Sequence, residues 1–222
     1  MGLALEVGIL ADLKTADEEG FAHFKVQFDL LNQLLAQNQL PPHVEPEEMP
    51  VFSGAMFGYS GLHYLRRVAA HLIVNGAVPE PCVDRRPTDD PVMMACYDEI
   101  ATMQDARSPE WKRFDHLLCH SDAEGYYVPL EFDEVLFDFE DLGLYGVQAG
   151  SSVKLLQECL TLAKALEMPT DLDGEDEVFF DAAESQGEGE GWRRYGMECY
   201  SCIHLIQAAR HSIEHGAAIV FT

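Results

Sequence analysis

The stretch WRRYGMECYSCIHLIQAARHSIEHGAAIVF, residues 192–221, decides the fold class. Cys199, Cys202, Ile206, Ala209 and Ile213 recur three or four positions apart, the spacing that aligns side chains on one helical face, so a long helix is predicted from about Trp192 to His215. Gly216 supplies the break, and Ala217 to Phe221 returns as a short strand.

At the other end of the chain, Leu3 to Leu10 has the aliphatic and β-branched content of a central strand. Thr15, Glu18 and Glu19 then form an acidic entry into a helix through Phe21, Phe24, Phe28, Leu31 and Leu35. Leu40 to Pro50, rich in proline and glutamate, is an irregular connection. Leu65, Val68, Ala69 and Leu72 predict a helix over His63 to Val74, stopped by Gly76 and Pro79, before an exposed loop from Pro79 to Pro91. A further helix is expected from Pro91 to Gln104, with Met94, Tyr97, Ile100 and Ala101 on its apolar side. From Phe114 to Phe139 the texture changes. Leu117, Leu118, Tyr126, Val128, Leu130, Val135, Leu136 and Phe137 fit a hairpin or two sheet strands around a turn at Gly125. Ser151 or Ser152 caps a helix carrying Val153, Leu156, Leu160 and Ala163, which Pro169 ends.

Helices mixed with non-local strands imply α+β: a single domain, residues 1–222, with a small mixed or antiparallel sheet packed by several helices and a mobile acidic connection near 171–191. The α/β class is the competing reading. The first apolar run is too short to span a membrane, and Glu6 stands where a myristoylation signal at Gly2 prefers Ser or Thr. Cys82, Cys96, Cys119, Cys159, Cys199 and Cys202 read as reduced thiols of a cytoplasmic protein, because a chain of this size needs no disulfide staples.

Charge narrows the functional classes. There are 39 Asp and Glu against 14 Lys and Arg, a formal net charge of −25, which argues against nucleic acid or an anionic membrane surface as a partner. Nine of the acids lie between Arg113 and Lys154, and nine more between Asp171 and Glu190, with no basic residue inside either run.

The familiar motifs fail on their registers. Gly58-Tyr59-Ser60-Gly61-Leu62 lacks the final glycine of a nucleophile elbow, so the glycines read as shaping a helix entrance. Asp171-Leu172-Asp173-Gly174-Glu175-Asp176-Glu177 has its glycine fourth, where a calcium-binding EF-hand loop requires it sixth. Cys199-Tyr200-Ser201-Cys202 has no second ligand pair and falls on the apolar side of its helix, which indicates packing. His204, His211 and His215 share one stripe nearly opposite Ile206 and Ile213, and read as surface or interface histidines.

The richest constellation runs from His116 to Tyr127. In an extended segment His120, Asp122 and Glu124 project to one side, as candidate ligands for a divalent metal or as part of a polar surface; no cofactor is otherwise expected. The leading expectation is a protein-binding or inhibitory domain that neutralises a basic toxin or nuclease-like effector. Its expected interaction residues are Asp122, Glu124, Glu131, Asp133 and Glu134, with Tyr126 and Tyr127 as anchors. The alternative is a metal-assisted hydrolase built on His120, Asp122 and Glu124.

Overall fold

The computed structural model of the chain describes residues 4–57, 60–103 and 107–221. The myristoylation comparison at Gly2, the first residue of the predicted strand at Leu3, the Gly58-Tyr59 half of the glycine motif and Gln104 lie outside the described residues.

The C-terminal stretch forms the expected helix and strand, with Cys199, Cys202, Ile206 and Ala209 buried, but the α-helix begins only at Gly196 and Ile213 of the expected buried face is exposed. Helix α8 (Gly196–His215) ends at Gly216, whose φ of 69° is the left-handed conformation that glycine adopts without strain, and the chain continues into strand β6 (Ile219–Phe221). There β6 lies between β1 (Ala4–Val7) and β3 (Tyr126–Val128), antiparallel to both. With β2 (Phe52–Ala55), β4 (Leu136–Phe137) and β5 (Gln148–Ser151) they form a six-stranded mixed sheet of order β2-β1-β6-β3-β5-β4. The hairpin expected around Gly125 is not formed. Strand β5 separates β3 from β4, pairing parallel with the first and antiparallel with the second, and Leu117 and Leu118 belong to a short helix, α5 (Asp115–Leu118).

Both faces of the sheet are covered. Helices α1 (Ile9–Ala16) and α2 (Glu18–Gln37) bring Ile9, Leu10, Phe28, Leu31 and Leu35 against Tyr126, Val128 and Val220. The opposite face packs Leu5, Val7, Tyr127, Ile219 and Phe221 with α3 (Gly61–Val74), α6 (Ser152–Ala165) and α8. Burying each large apolar side chain stabilises the fold by about 2 kcal/mol. A strand covered on both faces shows no inside-outside alternation, which is why adjacent Tyr126 and Tyr127 are both buried. The result is a single α+β domain with a mixed sheet packed by several helices.

The first strand ends at Val7 and its expected continuation, Ile9 and Leu10, opens α1, so Thr15 lies inside a helix instead of capping one, whereas the serine cap of α6 forms as expected. The Asp17 side chain accepts the backbone N–H of Glu19 and Gly20 at the start of α2, and Ser151 accepts that of Lys154 at the start of α6. Two helical faces are rotated from their expected positions. Helix α4 (Pro91–Met103) buries Met93 and Cys96 while Met94 is exposed, and α6 buries Leu155, Cys159 and Leu162 rather than Leu156 and Leu160. The Pro79–Pro91 loop is anchored by buried Asp90, which accepts from Arg67 Nε at 2.7 Å and meets His71 Nε2 at 3.0 Å.

Candidate functional site

The second acid run is partly helical. Val178, Phe179, Ala182 and Ala183 give it one apolar stripe, and the stripe folds as α7 (Glu177–Glu184) against α8. Gly196 permits this docking: a Cβ there would stand 1.8 Å from the Ala182 carbonyl oxygen. Phe179 is fully buried, its ring 5.1 Å from that of Trp192, whereas Phe180 stays half-exposed beside Phe57 and Tyr200.

With the apolar stripe turned inward, the acids face out. All nine carboxylate residues from Asp171 to Glu190 are exposed, and none is in an ion pair with Lys or Arg among the described residues. His204 Nε2 approaches one of them, Glu175, at 3.4 Å. Glu177, Asp181 and Glu184 sit at i, i+4 and i+7 of α7, which spreads three charges over about 10 Å of helix axis. One strand of B-DNA places about three phosphates along the same length. The arrangement opposes helix stability, since like charges four residues apart repel and acids in the last turn face the negative end of the helix dipole. The last turn of α7 has no basic residue to offset them.

The first acid run is arranged differently. Lys154 Nζ lies 2.9 Å from Asp133 and 3.6 Å from Glu131, and Lys112 bonds Glu134. The hydrogen bond from Lys154 holds the Asp133 carboxyl below the usual carboxylate range. Half-exposed Asp122 meets His63 Nε2 at 2.9 Å, and Asp115, buried, bonds Arg107. Glu124 is exposed. Tyr126 and Tyr127 do not serve as the surface anchors expected of them: they are 0 % and 1 % exposed, and Tyr127 donates its hydroxyl to the His116 carbonyl at 2.7 Å. The two tyrosines hold the core beneath the acids.

The His120, Asp122 and Glu124 set is also dispersed. His120 is buried, stacked on Tyr127 with ring centroids 4.0 Å apart, and its Nε2 and Nδ1 lie 3.0 and 3.2 Å from the carbonyl oxygens of Tyr126 and Ser121. Burial pushes its pKa down to about 3. The ring is therefore neutral, with its N–H directed to backbone, while Asp122 turns to His63. Among the described residues no group of three or more His, Cys, Asp or Glu is placed to hold a metal. The histidine stripe on α8 is divided as well. His204 is buried because this central helix meets α3, α6, α7 and the sheet, while His211 contacts the Pro50 carbonyl at 2.7 Å and packs its ring 4.3 Å from that of His215. All six cysteines are unpaired, and five are buried.

Sequence reasoning missed α7 and the lysines that compensate the first run. The four apolar residues of α7 at helical spacing were the available signal for the helix, masked by the charges around them. No helix among the described residues is long and apolar enough to cross a membrane. A family model described as "Putative DNA-mimic protein" matches residues 1–221. No curated protein and no solved structure matches the chain.

Proposed function

Because the chain belongs to this DNA-mimic family, we propose that its acidic surface occupies the DNA-binding surface of a basic protein and thereby inhibits it. The observation that supports this most is the uncompensated run from Asp171 to Glu190, whose α7 carboxylates match the axial charge density of a DNA strand. A protein surface that has evolved to receive phosphates presents Lys and Arg, and these meet fixed carboxylates here as they would meet the duplex backbone. The net charge of −25 steers such a partner from a distance, and the local acid face fixes its final position.

In this reading the partner is a nucleic-acid-binding protein, with a basic toxin or nuclease-like effector as the kind that an inhibitor would neutralise. The acids Asp122, Glu124, Glu131, Asp133 and Glu134 form a secondary contact area, since most already have a partner within the chain. Six unpaired cysteines suit a reducing, cytoplasmic setting. The metal-assisted hydrolase alternative gains no support from a His120 ring directed at backbone carbonyls.

The test is affinity capture from cell extract on the immobilised, folded protein, at low and at physiological salt, followed by elution with duplex DNA. Basic proteins should be retained and released by the DNA. Retention of no basic protein, or retention that DNA does not reverse, would contradict the proposal.

A further inference from the structure

The first acid run borders a second kind of surface. Strand β4 is the last strand of the sheet, and beyond it a groove of about 940 Å³ opens between β4, α4 and the C-terminal end of α2. Ile100, Leu118, Leu136 and Phe139 contribute apolar walls, with Glu134 and Glu140 on the same lining. Phe139 is 90 % exposed, its ring 5.7 Å from that of Phe137. A large aromatic ring left in water beside an open apolar groove contributes little to folding, and is suited to anchoring a partner.

We propose that this groove receives the apolar side chains of a cationic amphipathic segment belonging to the basic partner. The inference rests on the proposed function and adds to it a second recognition element that DNA itself does not have. Charge selects the occupant. Glu134 on the lining bonds Lys112 and Arg107 bonds Asp115, which leaves exposed Glu140, with exposed Asp141 next to it in the chain, as the charge at the rim, so a segment with lysines or arginines flanking its apolar residues satisfies both kinds of surface. A second copy of the chain is disfavoured, because each copy would bring a net charge of −25 to the contact. The groove thus provides selectivity among basic proteins. Electrostatics alone attracts any of them, whereas only one with an apolar segment in reach of the groove gains the additional burial.

Two fluorescent peptides, matched in length and lysine number, test this: one carries leucines at helical spacing and the other has serine in their place. Binding is measured by anisotropy at low and physiological salt. At physiological salt the leucine peptide should bind the wild-type protein about tenfold more tightly, as partial burial of a single large apolar side chain implies. Phe139→Ser, at a side chain whose exposure makes it dispensable for folding, should reduce that preference to about threefold or less while leaving the serine peptide unaffected. Equal affinity of the two peptides, or a preference untouched by Phe139→Ser, overturns the groove proposal alone. Failure of both peptides to bind at low salt overturns the acid-surface reading with it. Self-association of the protein that is lost in Phe139→Ser would assign the groove to a second copy and overturn the proposal.

Discussion

Lys154 Nζ lies 2.9 Å from Asp133 Oδ1, and this pairing distinguishes two acid runs that look alike in the sequence. Each run has nine carboxylates. In the first, two flanking lysines fold back onto Glu131, Asp133 and Glu134; in the second, no Lys or Arg among the described residues does so. Charge count alone therefore ranks the runs equally, and structure separates them.

The combined variant E177Q/D181N/E184Q should lower affinity for a basic partner about tenfold at low salt, with the effect shrinking as salt screens the field. The variant E131Q/D133N/E134Q removes as many charges but should cost about threefold, because those carboxylates are already engaged by lysines. Anisotropy titration of both variants against a captured partner checks the ranking. The opposite ranking would move the recognition surface to the first run.

Gly196 should prove essential to the acid face although it is itself uncharged. Gly196→Ala places a methyl group against the Ala182 carbonyl, so α7 has to shift from α8, at a cost of about 3 kcal/mol. Denaturant unfolding should show the loss, and partner affinity should fall at temperatures where the variant remains folded. A variant with wild-type stability would mean that α7 does not dock as described.

The Glu198 contribution to stability should decline as the solution turns from acidic to neutral, opposite in sign to that of the buried, neutral His120. Burial raises the Glu198 pKa to about 7, against the opposing hydrogen bond from Gln186. The folded state thus holds a proton that the unfolded chain releases near its ordinary pKa of about 4.3. The stabilisation is complete below that value and is lost as pH rises through about 7. Half-buried Glu6, also raised to about 7 by burial and then by Asp12, adds to the same trend. Thermal melts at pH 5 and pH 8 should show the melting temperature of Glu198→Gln shifting upward relative to that of the wild type, by several degrees. Parallel pH profiles would remove Glu198 as a source.

Thiol chemistry offers an independent check on the core. Cys82, Cys96, Cys159, Cys199 and Cys202 are buried, and the Cys119 thiol, partly accessible, is pushed up to about 12 by burial first and by nearby Asp115 second. At neutral pH a thiol reagent should label none of the six rapidly in the folded protein and all six after denaturation. Rapid labelling of Cys159 or Cys202 in the native state would contradict the packing of α6 against α8, where the Cys202 thiol meets the Cys159 carbonyl.

Helix-period signals carried most of the legible structure. The phenylalanines and leucines of α2, the serine cap of α6 and the Gly216 break after α8 each announce a local event that nearby residues determine. Sheet order was not legible. Strand β5, Gln148–Ser151, has little β-branched content, and its place between β3 and β4 depends on contacts remote in sequence. The candidate surface was legible as charge, because exposed carboxylates need no tertiary partner to be recognised. Its compensation was not, since Lys112 and Lys154 reach Glu134 and Asp133 only through the fold, and the buried tyrosines of β3 lose the alternation that a one-sided strand would have shown.

The central claim is that this acidic surface and DNA compete for one site on a basic partner. The most direct measurement adds the protein to a preformed complex of a captured partner with fluorescent duplex DNA and follows the anisotropy of the DNA. Release of the duplex is predicted, with E177Q/D181N/E184Q requiring about tenfold more protein for the same release. An anisotropy that rises instead, reporting a ternary complex with the DNA still bound, would contradict the account.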